Sequence, residues 1–435
     1  MSVLSISTEQ ILSDLIRINT VNPPGNEIAA ARYLKDLFLQ AGITGEIVET
    51  EKDRGSFFAR IGHGGGVDRK LLFLSHLDVV PVGDGWDFDP FGGEISKGMV
   101  LGRGALDCKG LVAAQAAVCL KLAAEKAPLN GTLIFAATAD EEQGGVLGVK
   151  ALLERFPEKL QADFAVNEGG EEPVCINGRY VFFIQVGEKG TAWSRLTARG
   201  LSCHGSIPAL GENAIVKMAG VLHALGAGEP QIILIPEVKY LLEKLAALKG
   251  LEWTVSAENI DALLENFDER SFAETLRAMT RMTISSNAVQ GGGKVNVVPD
   301  VCTADLDIRI LPGQDWNYVL SELRRYAGED ISIKALQYQP PTFSSSQSEP
   351  YTAIVEATRD VAGSDVVCLP CISTGATDSR FLREAGIPSY GIGHMAAGFD
   401  REIWTTVHGK NERIDVASLN FKALFLEKLV RRYLG

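Results

Sequence analysis

A run of four apolar residues, Leu71 to Leu74, breaks into Ser75-His76-Leu77-Asp78, and this break constrains the chain more than any other stretch. A Gly-rich loop follows, then Arg103-Gly104-Ala105-Leu106-Asp107, then an Ala-rich segment. A strand that is apolar at successive positions is buried on both faces, as in a parallel sheet covered by helices. The polar residues after it then lie at the strand's C-terminal end, the edge at which open α/β sheets bind ligands. His76 suits a metal ion through one ring nitrogen, with Asp78 placed to hold the other. Asp107 is a hard anionic oxygen donor.

The same grammar repeats downstream. Strand 71–75, helix 110–126, strand 131–138, helix 145–155 and strand 163–167 make a βαβαβ succession, the pattern of a mostly parallel sheet with helices on both faces. Strand 131–138 runs into Asp140-Glu141-Glu142, and strand 163–167 into Asn167-Glu168-Gly169-Gly170. In a parallel sheet these ends share one edge, so their acids converge with His76 and Asp107. Unrelated acidic surface loops would have the same composition, but not this placement at successive strand ends. Clustered carboxylates raise one another's pKa, and cations resolve the conflict.

The formal net charge of −13 agrees with a carboxylate-rich site for cations. It argues against a nucleic-acid or acidic-membrane partner, which would call for a basic stripe. No run of about 18 apolar residues is present, so no membrane span is expected. Residues Ser7-Thr8-Glu9-Gln10 fit a capping box that opens a helix, and a second helix is expected from Glu27 to Ala41, with Gly42 suited to follow its end. The cysteines, at 108, 119, 175, 203, 302, 368 and 371, are odd in number and scattered. They read as reduced thiols of a cytoplasmic protein; Cys368 and Cys371 have CxxC spacing without a second such pair and read as core packing.

Near residue 187 the pattern changes. Strand 191–199, helix 212–225, strands 281–289 and 301–310, helix 315–327 and strand 331–338 follow the βαββαβ order of a ferredoxin-like fold. Extra helical material at about 228–280 interrupts it. The expected organisation is therefore a catalytic metal-binding domain made of 1–186 and 348–435, with 187–347 inserted as a lid or dimerisation domain. After 348 come helix 351–361, a Thr374-Gly375-Ala376-Thr377-Asp378 turn, helix 379–385 and a strand near 388–392. Trp404 to Gly409 brings His408 after an extended run, and a helix from Val416 closes the chain.

These stretches resemble the M20 family of dinuclear zinc hydrolases, a group of deacylases, carboxypeptidases and dipeptidases. The matching segments, in the family's order, are SHLDVVP at 75–81, GRGALDCKG at 102–110, TADEEQGG at 138–145, NEGG at 167–170, GLSCHGSIPALGENAI at 200–215, GGGKVNVVPD at 291–300, DIRILPG at 307–313, TGATDSRFLREAGIP at 374–388 and VHGKNERI at 407–414. NPPG at 22–25 is also similar. The resemblance implies two divalent metal ions, zinc first and cobalt or manganese as alternatives. His76, Asp107 and Glu168 would hold one ion, and Asp107, Glu142 and His408 the other, with Asp107 bridging. It further implies a metal-bridging hydroxide as nucleophile, Glu141 as general base, Asp78 behind His76, and a cis bond between Asp107 and Cys108. His204 would stabilise the oxyanion, Arg309 would grip a substrate carboxylate, and Asn296 and Gly375 would line the substrate pocket. His63, His223 and His394 match no motif and are expected not to be ligands.

The implied activity is hydrolysis of the amide of an N-acyl amino acid or related small carboxylate. A dipeptidase or carboxypeptidase is the alternative. A non-catalytic metal-binding or partner-binding protein would need neither Glu141 nor His204. By the same resemblance the protein is a homodimer through the inserted domain. Other chemistries fare poorly: Gly200 to His204 fails a nucleophile elbow at its last position, and Gly291 to Val295 lacks the spacing of a phosphate-binding loop.

Overall fold

The computed structural model describes residues 6–62 and 69–435. Alternation along the strand Arg69–His76 explains its apolar run. Leu71 and Phe73 belong to one hydrophobic cluster, and Leu72 and Leu74 to a second on the opposite face. The strand Gly131–Thr138 divides in the same way, Leu133 and Phe135 to one side and Ile134 and Ala136 to the other. Successive strand residues point to opposite faces, so a strand with helices on both sides has to be apolar throughout.

The chain forms two compact units. The first comprises 1–186, 344–371 and 377–435. At the centre of its sheet, Gly131–Thr138, Arg69–His76, Phe164–Asn167 and Ser389–Ile392 run parallel in that spatial order. Antiparallel strands flank them, Arg54–Ile61 and Gly45–Glu51 on one side and Arg179–Glu188 on the other. The larger hydrophobic cluster takes residues from the helices Thr8–Arg17, Glu27–Gln40, Lys109–Ala124, Glu349–Ala362 and Val416–Leu434. The smaller one takes them from Ala151–Arg155 and Ser379–Glu384. Helix Lys109–Ala124 is apolar on almost every side because nearly all of its residues are buried.

Local differences from the sequence reading have physical causes. Ser7 caps the first helix through Gln10 N, but the Gln10 side chain turns to Asp14 instead of closing a reciprocal box. The helix expected at 145–155 is a π-type turn, Val146–Lys150, with a non-helical Gly148 inside it, followed by Ala151–Arg155. A Cβ on Gly148 would lie 1.8 Å from the carbonyl oxygen of Ala139, so the backbones meet where only glycine fits. The run before His408 is not extended: a short helix, Arg401–Trp404, leads into consecutive turns. Cys368 and Cys371 share the strand Val367–Ser373, where residues three apart face opposite ways, and both are free thiols. Among the described residues, no helix is long and apolar enough to cross a membrane.

The second unit comprises 187–343 and 372–376. Its strands lie in the order Thr283–Gly291, Val301–Ile310, Gly190–Arg199, Ser332–Gln339, all antiparallel. With helices Ala214–Ala227 and Trp316–Ala327 as crossovers, this is the ferredoxin-like arrangement. Val301–Ile310 buries every second residue, Cys302 to Ile310, in the cluster that also takes Met218 and Leu323 from the helices. Helices Pro236–Leu248, Ile260–Leu264 and Arg270–Ala278 form the additional segment. The buried Lys189 ammonium donates to the carbonyls of Ala278 and Arg281, satisfying the end of the last of these helices.

Candidate metal centre and active site

The sheet aligns its ends. His76 is paired with Thr138 across the parallel ladder, and the next residues along each strand leave the sheet at the same edge. From there His76, Asp107, Glu142, Glu168 and His408 meet. Asp107 lies between two histidines: its Oδ1 is 3.0 Å from His76 Nε2, and its Oδ2 is 3.0 Å from His408 Nε2. Glu168 Oε1 stands 3.4 Å from His76 Nε2, and Glu142 Oε2 stands 3.2 Å from His408 Nε2. The donor atoms form two groups that share Asp107, one with His76 and Glu168 and the other with Glu142 and His408. The Asp107–Cys108 peptide bond is cis. Cys108 Sγ also lies in the first group, but it accepts the His76 amide N–H at 3.2 Å.

Tautomers follow from the partners. His76 Nδ1 lies 2.9 Å from the backbone carbonyl of Asp78, which only accepts. Nδ1 therefore carries a hydrogen, and Nε2 is the nitrogen turned to the cluster. The expected role of Asp78 is thereby divided. Its carbonyl holds His76, while its carboxylate, 3.5 Å from Nδ1, accepts the amide N–H groups of Glu141 and Glu142 at 3.1 and 3.0 Å. Asp78 thus aims the short 3₁₀ turn that presents both glutamates.

Protein groups alone leave this centre frustrated. Desolvation, with the charges of Glu168, Asp378 and Glu142 added, pushes the Glu141 carboxyl well above its usual range. Burial pushes Glu168 up to about 7, aided by Asp107 and Glu142. Hydrogen bonds to Asp107 and Glu142 raise His408 to about 10. Glu142 Oε1 is buried without a hydrogen-bond partner. A buried carboxylate oxygen needs a donor or a cation, so the orphaned oxygen and the convergent N and O donors fit divalent ions. Imidazole with carboxylate suits Zn²⁺, Co²⁺ or Mn²⁺.

Residues 72–432 match the model of peptidase family M20/M25/M40. The chain belongs to this family. It is 27% identical over 446 residues to succinyl-diaminopimelate desuccinylase of Cereibacter sphaeroides, covering 98% of this chain and 99% of that relative. The M20 family metallo-carboxypeptidase Sso-CP2 from Sulfolobus solfataricus shares the fold, with a TM-score of 0.72, 23% identity, and 98% of this chain and 99% of that one covered. A Bacillus subtilis protein described as a dinuclear metal binding peptidase of the M20 family has a TM-score of 0.60 at 15% identity, covering 97% of this chain and 96% of that one. The M20 chain described here is a metal-dependent amidohydrolase, and its carboxylate–histidine cluster is the candidate metal site.

Behind the centre lies a buried polar network that sequence reasoning missed. Arg54 Nη2 bonds Glu27 Oε1 and Asp140 Oδ1, each at 2.7 Å, and Arg54 Nη1 donates to Asn22 Oδ1 at 2.9 Å. Asn22 Nδ2 passes the chain on to Asp78 Oδ2 at 2.8 Å. Asn22 opens the NPPG segment and Glu27 follows it, and the likeness of that segment to the family was the only signal available. Asp378 was missed as well. It is buried, its Oδ1 has no partner, and burial pushes it to about 7.

The second unit carries the remaining candidates. His204 and Asn296 are neighbours: His204 pairs with Val297, and Gly205 N donates to the Asn296 carbonyl at 2.8 Å. Ser206 N donates to His204 Nδ1 at 3.1 Å, so Nδ1 accepts and the ring's hydrogen is on Nε2. Arg309 is already engaged: Nε and Nη2 hold the two Asp307 oxygens at 2.7 and 3.2 Å, and Nη1 reaches Thr191 Oγ1 at 3.3 Å. Gly375 N donates to Ser373 Oγ at 3.1 Å. Of the histidines expected not to be ligands, His223 is exposed. His394 is buried against Phe182 and Phe425 with Nε2 on Thr358 Oγ1 at 2.8 Å. His63 lies outside the described residues.

Proposed function

We propose that this protein hydrolyses the amide of an N-acyl amino acid, with a free carboxylate beside the scissile bond, using two divalent ions, zinc first. The observation that carries the reading is the sharing of Asp107. One carboxylate oxygen faces each histidine, and Glu141 stands beside Glu142 on the turn that Asp78 holds. We assign His76, Asp107 and Glu168 to one ion and Asp107, Glu142 and His408 to the other. Bound divalent ions acidify water and polarise a carbonyl.

Glu141 is not used by either donor group, and burial raises its carboxyl well above the usual carboxylate range, which strengthens it as a base that takes a proton from water and returns it to the leaving amine. Asp78 acts through its carbonyl on His76 and through its carboxylate on the glutamate turn. His204, with its hydrogen on Nε2, is suited to donate to an oxyanion. We assign it to that role from the partner subunit of a homodimer formed through the inserted domain. Arg309 would exchange the Asp307 carboxylate for the substrate's, with Asn296 and Gly375 beside it. Seven free thiols suit a reducing compartment, the cytoplasm.

The test is a substrate panel on protein reloaded with zinc after chelation: N-succinyl, N-acetyl and N-aroyl amino acids against dipeptides with the same C-terminal residue. Turnover of the acyl series above the dipeptides is the expected result. A preference for dipeptides would move the reading to dipeptidase, and equal activity before and after metal removal would end it.

A further inference from the structure

The ion pair Arg103–Glu412 is sealed inside the first unit, with side chains 1% and 0% exposed and Nη1 to Oε2 at 2.6 Å. Its remaining bonds run almost entirely to backbone. Glu412 Oε1 accepts the amide N–H groups of Leu106 and Asp107 at 2.8 and 3.1 Å, and Oε2 accepts that of Gly104 at 3.1 Å. Arg103 Nη2 donates to the carbonyls of Gly409 at 2.8 Å and of His408 and Pro81 at 3.4 Å. The guanidinium lies over the Trp86 ring, 5.2 Å from its centroid. Glu412 also receives Gly102 N on its own carbonyl at 2.9 Å.

The pair therefore joins two segments about three hundred residues apart in sequence. One presents Asp107, and the other presents His408 from a turn in which His408 has φ +58°. A buried ion pair is weak evidence for stability, since apolar side chains of similar volume often serve as well. Apolar replacements would fill the space here but would leave the amides and carbonyls around Asp107 and His408 without partners.

We propose that Glu412 and Arg103 are positioning residues that fix the separation of Asp107 from His408, and so hold the ion assigned to Asp107, Glu142 and His408. The inference rests on the two-ion reading above. The two residues differ in what they hold: Arg103 donates to the carbonyls of Pro81, His408 and Gly409 and to none of the Asp107 segment, whereas Glu412 accepts the Asp107 amide, and both ion groups share Asp107. Groups that orient metal ligands typically change metal affinity about 10–100-fold when removed.

The experiment measures zinc stoichiometry and the two dissociation constants for wild type, Arg103→Lys and Glu412→Gln, with thermal stability and Co²⁺ absorption recorded on each. Wild type binding fewer than two ions would defeat the two-ion reading itself, and this inference with it. With two ions bound by wild type, Arg103→Lys is expected to weaken one ion about 10–100-fold, alter one part of the Co²⁺ spectrum and leave the other ion unchanged. Its activity should return with excess zinc. Glu412→Gln is expected to weaken both ions. Wild-type affinities and spectra in a folded Arg103→Lys protein would overturn the proposal. So would equal weakening of both ions in that variant together with a lowered Tm, which is the outcome of general destabilisation. If Glu412→Gln does not fold, Arg103→Lys decides alone.

Discussion

His76 and His408 face opposite oxygens of one carboxylate and are supported in opposite ways. His76 ends a central strand and is 2% exposed, with Nδ1 fixed by a carbonyl two residues on. His408 stands on a turn, its side chain 52% exposed, and its backbone is tied down by an arginine distant in sequence. The sheet itself builds one half of the centre, and side chains reaching across the fold build the other. A strand-end ligand inherits the rigidity of the ladder; a turn ligand needs its peptide groups held individually.

The largest effect expected within this contrast belongs to the residue that serves both halves without joining either. Glu141→Ala should lower kcat about 10²–10⁴-fold while zinc stoichiometry stays at the wild-type value, since Glu141 is outside both donor groups. Loss of an ion in this variant would make Glu141 a ligand and redraw the two halves.

A smaller effect should appear on graded chelation. The His408 side is more open to water, so its ion is expected to leave first, giving two resolved steps separated by about 10-fold or more in chelator concentration, the range typical when ligand support differs. A single cooperative release would erase the distinction.

The smallest effect concerns His394, which is as buried as His76. Burial, with Lys422 adding to it, pushes this imidazole down to about 3 from an ordinary value of 6.5. Above pH 6.5 it is neutral whether folded or unfolded and contributes no pH dependence. As pH falls from 6.5 towards 3 the unfolded chain takes up the proton and the folded one does not, so stability declines through that window. His394→Gln should flatten this part of the stability–pH curve while preserving the amide's bond to Thr358. An unchanged slope in urea unfolding between pH 6 and pH 4 would show that other groups set the acid limb.

The sequence by itself determined the parts of this centre that have a periodic or positional signature. Uninterrupted apolar strands implied a sheet covered on both faces, and the acids after three of them lie at one edge because parallel strands end together. The ferredoxin-like order of the second unit was legible for the same reason: Val301–Ile310 alternates strictly, and its helices carry one apolar face. The pairing of Arg309 with Asp307 could also have been read, since residues two apart on a strand share a face. The strand Arg179–Glu188 was passed over because its apolar run falls where the pattern changes.

Only the tertiary structure decided which carboxylate does what. Asp78, expected behind His76, spends its oxygens on the amides of residues 63 and 64 positions away. Glu412 accepts three amides and a guanidinium more than three hundred positions away. Every residue but proline offers an amide N–H, so nothing in a sequence marks which one a distant acid will accept. That choice is made when packing brings backbone and side chain together and each buried polar group has to find a partner.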